Sequence, residues 1–340
     1  RSQHSIPPFK EVKAMQEKKI SELKDKLVRD STNSDLLTQY ATEVLKNVKF
    51  DHETSWENYW RYTAPASNRL DDLVGMLTRG VKRDSMSARV HVLLGRAYIQ
   101  PIPYTLYSSG YRQELLRENA FWAFKRALEL DSTLTDVRLD LAELLASFYS
   151  YRGRDVRDLE ESRKLTHKVL NANPENGKAW YVLGMSYGGV WWGGQSDSAL
   201  RLFTKAEKYG LEEPLDYIGL SRSSPGYGGN LYFNGPYLQV VKNIPGAAKG
   251  FFFTGANYLL SDGKNRKIEL LKKALDLNPY CLPALIGLFP LENANGDFES
   301  ALSHYLRADE VDSALTPWQW FSDFDFFEKV IQRHPENYRA

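Results

Sequence analysis

A self-similar period runs through this chain and limits its possible folds more than any other feature does. Within residues 179–206, Trp180, Leu183, Gly184 and Tyr187 share one face of a helix, and Ala199, Phe203 and Ala206 share a face of a second. The arrangement recurs in Phe251, Gly255 and Tyr258 with Leu271, Ala274 and Pro279. It recurs again in Leu285 and Leu288 with Ala301, Tyr305 and Ala308, after the turn Asn295-Gly296-Asp297. Upstream, Leu94, Gly95 and Tyr98 pair with Ala120, Phe124 and Ala127, and Leu141, Ala142 and Leu145 pair with Ser162, Val169, Leu170 and Pro174. One helix pair cannot bury its own apolar face, so successive pairs must stack into a continuous core. The spacing therefore predicts an all-α chain, an α-solenoid of helix-turn-helix repeats with inserted loops and helical terminal extensions.

The combination of a large aromatic, Leu-Gly, Tyr, then Ala, Phe, Ala and a closing Pro resembles the tetratricopeptide repeat. About five divergent units cover residues 88–313. The resemblance implies three repeats with insertions over 88–214, an inserted ordered loop over 215–247, two repeats over 248–315 and an aromatic-rich capping helix over 316–340. Residues 1–87 read as a helical extension or a degenerate repeat. Within it, residues 9–30 form an amphipathic helix, and residues 51–63 and 69–82 are the two helices of a worn pair. The family also implies an inner wall built from the first helix of each pair. On that wall lie Val92, Leu139, Tyr181, Phe252 and Ile286 at one position and Arg96, Glu143, Met185, Ala256 and Pro290 at another. None of these ten is Lys or Asn, the types with which chaperone-docking members hold a terminal carboxylate.

Charge narrows the partner classes. With 44 Lys and Arg against 43 Asp and Glu, the net charge of +1 lacks the basic excess that phosphate neutralisation needs, which disfavours nucleic acid and polybasic membrane binding. No apolar run is long enough to span a bilayer. A single Cys excludes an intrachain disulfide, and the six His never pair at helical ligand spacing, so no metal and no cofactor is expected. The Gly-rich stretches 188–194 and 226–229 lack phosphate-loop arrangements and read as turns. Glu57, set among Trp56, Tyr59, Trp60 and Tyr62, has no second carboxylate to form an acid/base pair, so no catalytic residue is assigned.

Two binding surfaces remain. The largely apolar wall of Val92, Arg96, Leu139, Glu143, Tyr181, Met185 and Phe252 suits a helix, a hydrophobic peptide or the inserted segment folded back upon it. Trp191 and Trp192, set between Gly pairs, either stack on a sugar or a partner or pack beneath the inserted loop. The second surface lies at the end of the chain, where Trp318, Trp320, Phe324 and Phe327 crowd a terminal helix and either dock a partner or cap the core. Residues 1–30 carry net +3 and residues 297–340 net −5, an asymmetry that favours steered association. The expectation is a non-catalytic scaffold or adaptor subunit holding one or more protein partners in a larger assembly. The alternative is an extracytoplasmic binding protein for a small hydrophobic or carbohydrate ligand. Low Cys with high Tyr and Trp leans towards a bacterial periplasmic or secreted setting, with a cytoplasmic one as the alternative.

Overall fold

A computed structural model of the chain describes residues 6–54, 64–100, 110–146, 156–188, 197–213, 261–312 and 324–333. These residues are helical, with no strand among them. In order they form α1 (Phe9–Arg29), α2 (Ser34–Thr54), α3 (Ala64–Arg83), α4 (Ala88–Ile99), α5 (Gly110–Leu130), α6 (Thr135–Ala146) and α7 (Val156–Ala172). They continue as α8 (Gly177–Gly188), α9 (Asp197–Tyr209), α10 (Ser261–Leu277), α11 (Leu282–Asn293), α12 (Phe298–Val311) and α13 (Phe324–Arg333). The chain divides into two compact units. One comprises Arg1–His52, Glu57–Tyr187 and Arg201–Gly210, and the other comprises Glu53–Trp56, Gly188–Leu200 and Leu211–Ala340.

The first unit is a stack of tetratricopeptide-like helix pairs: α4 with α5, α6 with α7 and α8 with α9. Each pair is keyed by size. A Cβ built on Gly95 of α4 would lie 2.5 Å from the Phe124 ring of α5, and one on Gly184 of α8 would lie 2.5 Å from Phe203 of α9. In α6 the equivalent residue is Ala142, and at the position of Phe124 and Phe203 its partner helix carries the smaller, buried Thr166, while one turn earlier the buried Ser162 hydroxyl donates to the Ala142 carbonyl at 2.7 Å. A small first-helix residue thus lets the second helix drop a large side chain onto its backbone, and a somewhat larger residue is met by a smaller one.

The pairs also share cores. Val92 of α4 packs with Phe124 and Ala127 of α5, Val137 and Leu141 of α6 and Val182 of α8. Leu139 of α6 packs with Val169 of α7 and Leu183 of α8. The N-terminal helices join the same way: Leu23 and Leu27 of α1, Tyr40 and Ala41 of α2 and Leu73 and Leu77 of α3 pack with Leu93 and Leu94 of α4. Here the sequence expectation needs correction, because the helix that ends at Thr54 begins at Ser34 and does not start near 51. Tyr40-Ala41 stands where other first helices carry Leu-Gly or Leu-Ala, which hid the helix from a search for the repeat's signature. Residues 55–63 lie outside the described residues.

Turns between pairs follow one design. Asp84, Asp131, Asn173 and Asn278 end α3, α5, α7 and α10. The side-chain oxygen of each accepts the backbone N–H two residues on, from Met86, Thr133, Glu175 and Tyr280, at 2.9–3.1 Å. The same four residues, with Asp30 after α1, accept a backbone bond three residues on, and the next helix starts at once. Asn33, Ser87 and Asn176 then cap α2, α4 and α8 by accepting from Leu36, Val90 and Ala179.

In the second unit α11 is apolar all round, with Leu282 to Glu292 buried except Gly287, as a helix enclosed by neighbours must be. Gly296 takes φ +81° between α11 and α12, and Asp297 caps α12 by accepting from Ser300. Phe289 occupies the α11 position that Gly95, Ala142 and Gly184 hold in their own helices. It stacks on Phe326 of α13 at 5.8 Å and meets Tyr305 of α12 edge-on at 5.7 Å.

The sequence treats Trp180 and Phe203 alike as core residues, but the structure separates them. Phe203 is fully buried, whereas Trp180 is partly exposed, donating from Nε1 to the Pro174 carbonyl and lying 4.0 Å under the Lys205 ammonium. Phe203→Ala is expected to cost about 3–5 kcal/mol and Gly184→Ala about 1–3 kcal/mol by overpacking. Trp180→Ala should cost clearly less than Phe203→Ala. Chemical denaturation of the three variants checks the order, and equal losses at Trp180 and Phe203 would contradict it.

Candidate functional site

The first helices of consecutive pairs in the first unit are tied together by charge. Arg96 of α4 reaches to α6, donating from Nε to Asp140 and from its terminal nitrogen to Asp136, each at 2.7 Å. Lys178 of α8 reaches to α6 from the other side, donating to Glu143 at 3.1 Å. Asp136, Asp140 and Glu143 follow one another at helical spacing, so α6 carries an acidic stripe flanked by cations from both neighbours. Burial opposes charge on Arg96, yet its two carboxylates win and its pKa rises. For Asp140 burial dominates and pushes the carboxyl up, with Arg96 offsetting only part of that cost. Asp136 remains largely exposed, at 66%.

Of the inner-wall residues proposed from the sequence, Arg96 and Glu143 belong to this charged row. Val92, Leu139, Tyr181 and Met185 are all buried, less than a tenth exposed. Tyr181 lies under Lys178 and against Phe203. Of the four, Val92 and Leu139 belong to the shared cores of the stack. Trp191, Trp192, Phe252, Trp318 and Trp320 lie outside the described residues, as do the side chains of Phe324 and Phe327 on α13. On that helix Phe326 and Val330 are buried with Phe289, Ala301 and Tyr305.

Arg163 of α7 holds the end of α8. It donates to the Ser186 carbonyl at 2.7 Å and lies 4.1 Å from the centre of the Tyr187 ring.

A second polar site, which the sequence did not single out, lies in the second unit. A cleft of about 230 Å³ is lined by Asn265, Ile268, Glu269 and Lys272 of α10, Glu292 of α11, and Asn295 and Asp297. Glu292 is 2% exposed. Its Oε2 lies 2.7 Å from His304 Nδ1 of α12 and its Oε1 lies 2.9 Å from Lys272 Nζ. Burial raises this carboxyl, but His304 and Lys272 outweigh it and hold the group below its ordinary value of 4.5. A Glu in the last turn of an otherwise apolar helix was the available signal in the sequence. Among the described residues no cluster of His, Cys, Asp or Glu has metal-holding geometry, and no helix is long and apolar enough to cross a membrane.

No protein-family model matches the sequence, and no curated protein does. Solved structures do resemble the fold. The crystal structure of yeast Tom70 aligns at 14% identity and a TM-score of 0.47 over 97% of this chain, which spans 62% of that one. TTC0263, a thermophilic TPR protein of Thermus thermophilus, aligns at 14% identity and a TM-score of 0.36 over 72% of this chain and 98% of its own. A human IFIT1 dimer with PPP-AAAA aligns at 14% identity and a TM-score of 0.37 over 86% of this chain and 68% of its own.

Two measurements probe these sites. In double-mutant cycles the Arg96–Asp140 coupling should reach about 1 kcal/mol, while Arg96–Asp136, with its exposed acid, should stay near about 0.3 kcal/mol. Equal couplings would contradict the geometry. For Glu292, a folded pKa below the unfolded one means that its contribution to stability is complete above pH 4.5 and is lost as pH falls through the folded value. The stability difference between wild type and Glu292→Gln, measured by denaturation from about pH 7 to about pH 3, should shrink below about pH 4.5. A difference independent of pH would contradict it.

Proposed function

We propose that this protein is a non-catalytic scaffold that holds a protein partner in a larger assembly, engaging it along the charged face of its first helices. The observation that carries this reading is the cross-linked row Arg96–Asp136/Asp140 and Glu143–Lys178. Ion pairs between neighbouring helices fix long side chains in place before a partner arrives, which removes part of the ordering cost of binding. A row of alternating charge reads a complementary partner and speeds its approach. A stack of helix pairs presents such a row at constant spacing, which suits recognition of an extended segment. The burial of Val92, Leu139, Tyr181 and Met185 weighs against the alternative of a receptor for a small hydrophobic ligand, because the fold already uses that apolar surface.

A photo-crosslinking amino acid placed at Asp136, and separately at exposed Lys168 on the second helix α7, tests the assignment in extracts of the source cells. The expected result is one protein species joined at position 136, competed away by unlabelled wild type and weakened by salt, with none at 168. Adducts at 168 alone, or none at either position, would overturn it.

A further inference from the structure

The cleft in the second unit is built for a positive charge. Among the described residues, Glu269, Glu292 and Asp297 line it together with the ammonium of Lys272, and the amides of Asn265 and Asn295 add carbonyl acceptors at its rim. The carboxylate at its floor is not an ordinary surface acid: Glu292 is 2% exposed, fixed through Oε2 by His304. Its Oε1 is buried and faces the Lys272 ammonium, 2.9 Å away. Lys272 itself is half exposed, at 48%. A flexible, solvated ammonium thus rests against a rigid, buried acceptor with hydrogen-bonding capacity to spare.

From this we infer that the cleft between α10, α11 and the start of α12 is a socket for a basic side chain of a partner protein, an arginine in preference to a lysine, with Lys272 as the internal occupant it displaces. A guanidinium fits the site better than the ammonium already there. Its planar fork can donate to Glu292 Oε1 and to a second rim oxygen at once, whereas Lys272 brings one point charge to a single oxygen. Displacement leaves no buried charge unpaired, since the incoming cation replaces the departing one at Glu292 and Lys272 returns to water. The inference concerns the second unit alone and stands whether or not the first-helix face binds a partner.

The test uses the full chain with isoleucine δ1-methyl labelling. The methyl signal of Ile268, which lines the cleft, is assigned by its loss in Ile268→Val. N-acetyl-arginine methylamide is titrated against it, with the uncharged citrulline analogue and calcium chloride as separate probes. The arginine probe should shift the Ile268 signal saturably and the citrulline probe should not. Lys272→Ala should tighten the arginine probe by about threefold or more, and Glu292→Gln should weaken it by about tenfold. Should Glu292→Gln perturb the remaining methyl signals, Glu269→Gln, at an exposed rim position, serves instead and should weaken binding about threefold. Equal shifts with arginine and citrulline, a response to calcium but not to arginine, no response to any probe, or weaker binding in Lys272→Ala would each overturn the proposal.

Discussion

The structure of the first unit depends on how closely two helices of a pair approach. At Gly95 and Gly184 the second helix places a phenyl ring where a Cβ would otherwise be, 2.5 Å from that ideal position. This contact sets the spacing of each pair and so determines which residues are left to face the neighbouring pair. Ala120, Phe124 and Ala127 share one face of α5, and Val137 and Leu141 of α6 join the same core. Once the pairs are stacked, Arg96 and Lys178 come within reach of the acids on α6. The charged face is thus a consequence of apolar keying, and its ion pairs add order to a stack that burial already holds.

The turns provide the second constraint. A carboxylate or amide at the end of a helix accepts the N–H two residues on, so the chain reverses in the same way after α3, α5, α7 and α10. A fixed turn fixes the register with which the next helix enters the core. In the second unit the same scheme is closed off. Phe289 fills the position that is small elsewhere, and Phe326 of α13 covers it. The rings of Phe289, Phe298, Tyr305 and Phe326 form a local aromatic core around that contact.

Much of the helical order can be read in the sequence wherever size-keyed pairs leave a signature. Leu94-Gly95 and Leu183-Gly184 identify α4 and α8, and Ala120, Phe124 and Ala127 identify α5. The α2 helix escapes such a reading because Tyr40-Ala41 packs as Leu-Gly does elsewhere without resembling it, and side-chain volume matters to the fold more than residue name. The repeating turn was visible only where Pro followed, at Asn173 and Asn278, although Asp84 and Asp131 do the same work through their carboxylates. The candidate surfaces were harder. Helical periodicity places Tyr181 and Met185 on the wall but does not reveal that both are buried. The Arg96–Asp140 link and the Glu292–His304–Lys272 group join residues 44, 12 and 20 positions apart in the chain, pairings that local spacing cannot supply.

If helix pairs hold one another chiefly through their nearest neighbours, a lesion in one pair should weaken that pair most and fade with each pair beyond it. Native-state hydrogen exchange on Leu141→Ala, a truncation within α6 in the core to which α4 to α8 contribute, measures this directly. The account predicts the largest loss of amide protection in α6 and α7, a smaller loss in α4, α5 and α8, and little or none in α2. A uniform loss across all these helices would show a single cooperative core and would contradict the stacked-pair account.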